Sequence, residues 1–329
     1  MKILVTGATG CLGGVTARKL AALGHAVTGL GRDAAKGADL ERSAIRFDSV
    51  DLGDAPAMRR HVAGNDVVIH CGGFSSAWGS KAAFQRANVE GTAIILRACE
   101  HSRTRLVFVS SPSIYFDFAD RLQVTEDQAP ARTPVNAYAA SKIQAEALIV
   151  AVAQRGLDAV ILRPRAIFGE TDTALLPRLL RVARRGYLPL IDGGRAIVDL
   201  TYVENAADAL IAAAIRPQGF SGEAFNISNG EPVAIRDLFA RIAHGLGLQV
   251  RTISIPFRFA YLSSAALEFA AMLRPARPEP SLTRYTVGVL GKSQTLSIEA
   301  ARRELGFNPA VSLSDGIDRT IAAWSLSHA

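Results

Sequence analysis

The chain has 329 residues, 49% hydrophobic and 20% charged, which describes a globular protein with a substantial core and excludes a disordered one. A formal charge of +7 suits an anionic small molecule or a membrane surface, but no clustered basic stripe with interleaved aromatics points to nucleic acid. Three scattered cysteines (Cys11, Cys71 and Cys99) make neither a metal cluster nor a disulfide framework and fit a reducing, cytoplasmic compartment, and no His/Asp/Glu group has metal-ligand spacing.

The first apolar run, Ile3–Val5, stops at Thr6-Gly7, too soon for a signal peptide, and reads as a buried strand. Further runs at Ala26–Leu30, Val67–His70, Leu106–Val109 and Ala159–Leu162 alternate with helical stretches that begin near Cys11, Asp54, Ser80 and Asn136. Short continuous apolar runs separated by helices predict an α/β fold, a Rossmann-type doubly wound parallel sheet. Residues 1–170 are expected to form this dinucleotide-binding domain, with later returns to it near 195–228. From Pro177 to Pro280 prolines break the rhythm, so 171–329 are expected to be a smaller, mostly helical substrate-binding domain. The stretch Phe257–Leu273 is apolar but contains Arg258 and Glu268 and is too short to span a bilayer. It is expected to be a buried or interfacial helix, which leaves contact with a membrane surface open.

Directly after the first strand, Gly7, Gly10 and Gly13 are spaced three and three apart and open a helix. Such glycines let the backbone turn tightly, approach a pyrophosphate and pack helix on strand, while the helix N-terminus presents free N–H groups. The second strand ends Gly31-Arg32-Asp33. Glycine where an acidic residue normally meets a ribose hydroxyl, followed by a guanidinium, favours NADP, with NAD the alternative and Asp33 the evidence for it. Asp51 and Leu52, after the third strand, are placed to bound the adenine pocket, although a helix cap at Asp51 or Asp54 explains the aspartates equally well.

Tyr138 and Lys142 lie four residues apart at the start of a helical pattern, just after Asn136, so both leave one helical face a turn apart. A phenol with a pKa of about 10 needs roughly 4 kcal/mol of help to act as a base at neutral pH. A neighbouring ammonium provides part of it.

Together these residues resemble the extended short-chain dehydrogenase/reductases. The resemblance spans essentially the whole chain and rests on the glycine run, His70-Cys71-Gly72-Gly73, Asn88-Val89-Glu90-Gly91-Thr92, Ser110-Ser111-Pro112-Ser113-Ile114-Tyr115 and Tyr138-Ala139-Ala140-Ser141-Lys142. It implies that Tyr138 is the general acid/base, that Lys142 lowers its pKa and binds the nicotinamide ribose, that Ser111 positions the substrate oxygen, and that Asn88 supports the lysine through water. Ser111 is preferred because it lies four before Tyr115, with Ser113 still open. By the same resemblance Thr9, Cys11, Leu12, Cys71, Gly72, Gly73, Ser110, Pro164, Arg165 and Ile167 line the cofactor site, and His70 stands beside it without a catalytic role. The second half, through stretches such as Ser75-Ser76-Ala77-Trp78, Leu162-Arg163-Pro164-Arg165 and Asp199-Leu200-Thr201-Tyr202, is similar to one branch of the family. That branch contains 3β-hydroxysteroid dehydrogenases, sterol-4α-carboxylate 3-dehydrogenases and 2-alkyl-3-oxoalkanoate reductases. Nucleotide-sugar epimerases of the wider family carry an asparagine where this chain has Arg165-Ala166-Ile167, which makes a sugar nucleotide the alternative substrate. An apolar, 3β-hydroxysteroid-like or β-keto acid substrate is expected against Phe74, Trp78, Phe116, Phe118, Ser113 and the helix after Phe257. Arg165 would face its carboxylate, unless it pairs with Glu170 or Asp172. A homodimer through the helices near 80–100 and 136–155 fits the family.

Overall fold

The computed structural model describes residues Met1–Thr171 and Gly186–His328; Asp172 and Pro177 lie outside them. Seven parallel strands form the main sheet in the order β12-β7-β5-β4-β1-β2-β3. These are β1 (Lys2–Thr6), β2 (Ala26–Gly31), β3 (Arg46–Ser49), β4 (Val67–His70), β5 (Arg105–Val109), β7 (Ala159–Pro164) and β12 (Ser221–Ile227). Strand residues alternate between two cores. Ile3, Val5, Val67, Ile69, Val107 and Val160 pack on one face, and Leu4, Val68, Leu106, Phe108 and Ile161 on the other. Because both faces are covered by helices, the central positions of β1, β4, β5 and β7 are apolar on both sides, which is why those runs stand out in sequence.

Helices α1 (Cys11–Ala22) and α7 (Val203–Ile215) pack together on the first face. On the second lie α3 (Ala55–Val62), α5 (Gly91–Ser102) and α6 (Ala137–Ala153). The predicted helix starts are the N-caps: the Asp54, Ser80 and Asn136 side chains accept from the backbone N–H groups of Ala57, Ala83 and Ala139. Two features were not expected. Asp33 caps a further helix, α2 (Ala34–Glu41). The helix after Ser80 changes pitch, running from α4 (Lys81–Phe84) through a π-helical turn at Gln85–Glu90 into α5.

The chain winds from β1 through β2 to β3, then crosses back to β4 on the other side of β1. This reversal leaves a crevice beyond the C-terminal ends of β1 and β4, where doubly wound sheets bind ligands. The later part of the chain returns β12 to the sheet edge beside β7 and otherwise builds small sheets and helices over the crevice. Among these are β9 (Tyr187–Ile191), paired in parallel with β14 (Arg251–Ile255), and the helices α9 (Phe257–Met272) and α10 (Arg284–Gly291).

Candidate active site

At the β1 end of the crevice the three glycines have separate physical reasons. Gly7 has φ +68°, and a Cβ there would lie 2.7 Å from the Gly72 nitrogen, so the first turn presses on the loop after β4. A Cβ on Gly13 would collide with the Gly7 carbonyl, so this glycine lets α1 pack against the turn. Gly10 is the N-cap, with no side-chain cap and no acidic residue in the first helical turn. The N-terminus of α1 is therefore open to an anion, and the residues fit a dinucleotide pyrophosphate. Gly31 has a second explanation beside room for a phosphate, because a Cβ there would lie 2.6 Å from the Thr9 hydroxyl. Arg32 is exposed. Asp33 accepts the Lys36 N–H at 3.1 Å as a helix cap. Asp51 accepts the Gly53 N–H at 2.8 Å in a local turn, while Leu52 lies against Gly72 on the crevice wall.

Deeper in the crevice a directional chain of hydrogen bonds crosses the strand ends. Gly72 N–H donates to Thr6 Oγ1 at 3.2 Å, and Thr6 Oγ1 meets His70 Nδ1 at 2.6 Å. His70 Nε2 meets Thr92 Oγ1 at 3.2 Å, and Thr92 donates to the Asn88 carbonyl at 2.6 Å. Because each hydroxyl has one proton to give, this order assigns His70 the neutral Nε2–H tautomer. Burial, and secondarily the Lys142 charge, push His70 down to about 3, so the ring stays neutral. His70 is thus a structural link beside the site, as its strand-end position implies.

The π-turn aims Asn88 at the loop after β4. Its Oδ1 accepts the Phe74 N–H at 2.7 Å, and its Nδ2 donates to the Phe74 carbonyl at 3.0 Å and to Ser141 Oγ at 2.9 Å. Ser141 in turn donates to the Tyr138 carbonyl at 2.7 Å. Asn88 therefore clamps the Phe74 loop to the first turn of α6. Lys142 is buried, donates to the Val109 carbonyl at 2.7 Å and sits 4.7 Å above the Phe108 ring. Burial, opposed by the Glu146 charge, lowers it to about 8.

Tyr138 is half-buried at the crevice. Burial pushes its phenol above the ordinary tyrosine value, while hydrogen bonding to the Ser75 and Ser111 hydroxyls pulls it down. Two serine hydroxyls therefore oppose the rise. Ser111 is thus the serine of its segment that reaches the phenol. The hydroxyls of Ser110 and Ser113 are buried without hydrogen-bond partners among the described residues. Ser75, missed from sequence, comes from a loop 63 residues earlier that has no periodicity to read.

Beyond Tyr138 the site has an aromatic wall. Phe84 lies 6.1 Å from the Tyr138 ring and 4.6 Å from Phe74. Phe116 meets Phe118 at 5.4 Å and Tyr285 at 6.2 Å, and Phe118 meets Tyr261 of α9 at 5.3 Å. From α9 itself, Phe257 and Tyr261 turn inward, whereas Phe259 and Phe269 point to solvent, so only part of the expected lining is realised. Trp78 donates its Nε1–H to the Arg277 carbonyl at 3.0 Å, which ties its loop to the segment after α9. Tyr285, also missed, feels both the Tyr138 and Arg165 charges, and burial raises it to about 12.

Arg165 is buried beside Tyr285 and Asp199, and its Nε has no hydrogen-bond partner among the described residues. Glu170 does not pair with it, since that carboxylate accepts the Tyr202 hydroxyl; Asp172 lies outside the described residues. Asp199 is raised to about 6, chiefly by burial. Pro164 and Ile167 flank Arg165 at the ends of β7 and β8 (Ile167–Phe168). Among the described residues no group of His, Cys, Asp and Glu is arranged to hold a metal ion.

A sequence profile of the NAD dependent epimerase/dehydratase family matches residues 3–228. The chain is 38% identical to the 2-alkyl-3-oxoalkanoate reductase of Stenotrophomonas maltophilia (strain K279a), over 98% of this chain and 99% of that one. It is 30% identical to the sterol-4-alpha-carboxylate 3-dehydrogenase, decarboxylating, of Homo sapiens, over 97% of this chain and 87% of that one. The solved structure of UDP-glucuronic acid 4-epimerase from Bacillus cereus in complex with NAD superposes with a TM-score of 0.79, at 21% identity over 100% of both chains. At that identity the likeness is one of fold.

Proposed function

Because the chain belongs to the NAD dependent epimerase/dehydratase family and is an NAD(P)-dependent oxidoreductase acting on CH–OH groups, we propose that it reduces the ketone of an apolar β-keto acid. The reading is carried by one observation: the Tyr138 phenol sits at the hydroxyls of Ser75 and Ser111. A phenol placed at two hydroxyls can exchange a proton with a substrate oxygen held there, and the 38% identity to a 2-alkyl-3-oxoalkanoate reductase favours the reductive direction.

In this mechanism Ser111, with Ser75, holds the substrate oxygen, and Tyr138 gives it a proton. The nicotinamide, when bound, supplies the hydride to the carbonyl carbon, so the product is the secondary alcohol. Lys142 stabilises the phenolate left behind; its ammonium is held in place by Val109 and favoured by Glu146. Arg165 receives the substrate carboxylate on its Nε, which has no partner among the described residues, and the Phe116–Phe118–Tyr261 wall takes the apolar chain. The glycine turn and the N-terminus of α1 hold the pyrophosphate, and Gly31 with the exposed Arg32 favours NADP over NAD. The protein works as a homodimer built on α5 and α6.

A nicotinamide absorbance screen tests this, run with each cofactor on 2-alkyl-3-oxo acids, 3β-hydroxysteroids and UDP-sugars. The expected result is exchangeable cofactor and turnover with the oxo acids, lost when the acid is methyl-esterified. Turnover of UDP-sugars with NAD retained through purification overturns the reading in favour of an epimerase. Tighter binding of NAD than of NADP ends the NADP preference.

A further inference from the structure

Helix α9 is amphipathic the wrong way round for a protein in water. Its buried stripe is Ala260, Ser264, Glu268 and Ala271, three small residues and a carboxylate. On the opposite face Phe259, Leu262, Phe269 and the adjoining Leu273 are 67%, 69%, 64% and 71% exposed. Scattered exposed leucines are ordinary, but large side chains recurring at helical spacing along one face mark a surface that meets something apolar.

Charge narrows what that is. From Arg251 to Pro278 there are four arginines (Arg251, Arg258, Arg274 and Arg277), all exposed, and one acid, Glu268; the next acid is Glu279. Glu268 is buried and engaged by Arg284, whose Nε lies 2.7 Å away. An apolar face flanked by four outward cations, with no outward acid between Arg251 and Pro278, is complementary to an anionic bilayer. No helix among the described residues is long and apolar enough to cross a membrane, so α9 would lie in the interface plane.

We propose that this face docks the protein on an anionic lipid surface. The inner side of the same helix sends Phe257 and Tyr261 toward Phe118 and the aromatic wall beside Tyr138. Docking there sets the entrance of the site against the bilayer, where an apolar substrate partitions.

Sedimentation of the full chain with phosphatidylcholine vesicles, with and without phosphatidylglycerol, tests the proposal without reference to any turnover. Binding is expected only with phosphatidylglycerol and is expected to weaken with salt. Replacing Phe259→Ser and Phe269→Ser together is expected to weaken it by about tenfold or more, and Arg258→Glu with Arg274→Glu by about tenfold. All four positions are exposed, so both double variants should keep the parental unfolding midpoint. Absence of binding to phosphatidylglycerol vesicles, or equal binding by the variants, overturns the proposal. It is also overturned if the parent chain forms a lipid-free dimer that Phe259→Ser dissociates, because the face then joins two copies of the chain.

Discussion

Helices α6 and α9 are nearly equal in length and apolar content, and each buries a glutamate paired with an arginine from another segment. Glu146 of α6 meets Arg163 at 2.6 Å with both side chains inaccessible, and Arg163 also reaches the Tyr115 hydroxyl. Glu268 of α9 meets Arg284 at 2.7 Å, but that arginine side chain is 45% exposed. Helix α6 packs on the sheet and beside α5, and its buried polar groups are Ser141, Lys142 and Glu146, each with a partner. Helix α9 covers the site from one side only, and its other side faces outward. A helix enclosed on several sides can hold charges in fixed geometry, whereas one enclosed on one side presents a surface. Chemistry belongs to the first and encounter to the second.

The largest expected effect lies on α6. Tyr138→Phe should lower turnover by about two to four orders of magnitude while cofactor binding, read by fluorescence titration, is unchanged. Ser111→Ala should cost less, because Ser75 still meets the phenol. Full activity in Tyr138→Phe would remove α6 from the chemistry and, with it, the contrast between the two helices.

Removing the glutamates compares the helices directly. Glu146→Ala leaves Arg163 charged in the core and should destabilise the protein by about 3–5 kcal/mol in urea unfolding. Glu268→Ala leaves Arg284 free to hydrate and should cost about 1 kcal/mol. Equal losses would mean that enclosure does not distinguish the two pairs. The milder Glu146→Gln also removes the charge that raises Lys142, so the lysine, parentally at about 8, should titrate lower. Moving alkaline limbs in the pH–rate profiles of the two proteins would report it.

A smaller effect concerns the hydrogen-bond chain at the strand ends. Folded His70 refuses a proton until about pH 3, whereas the unfolded ring accepts one near 6.5. Stability is therefore lost as the pH falls through that window, by about 1.4 kcal/mol per pH unit. Asp199, raised to about 6, acts in the opposite sense between its ordinary value and 6, because the folded state there binds the extra proton. The His70 contribution is thus visible as the difference between the parent and His70→Gln across pH 3–6.5, with the variant losing less on acidification. Parallel curves would mean that His70 is not held neutral. The smallest effect is on the outer face of α9: Phe259→Ser alone should change stability by no more than about 0.5 kcal/mol.

Much of the frame was legible without coordinates. Unbroken apolar runs mark strands buried on both faces, and Gly7, Gly10 and Gly13 mark a turn that admits no side chain, because both patterns follow from backbone geometry within a few residues. The four-residue spacing put Tyr138 and Lys142 on one helix for the same reason. Long-range meetings were not legible. Ser75 reaches Tyr138 through a loop without periodicity, Asn88 turns to Phe74 because of a change in helical pitch, and Glu170 is taken by Tyr202 from another strand. Composition showed that the stretch after Phe257 is apolar, but which side faces outward depends on what the tertiary structure packs beneath it. Local sequence determines an element through bonds it makes with itself; a side chain's partners are determined by where distant segments pass.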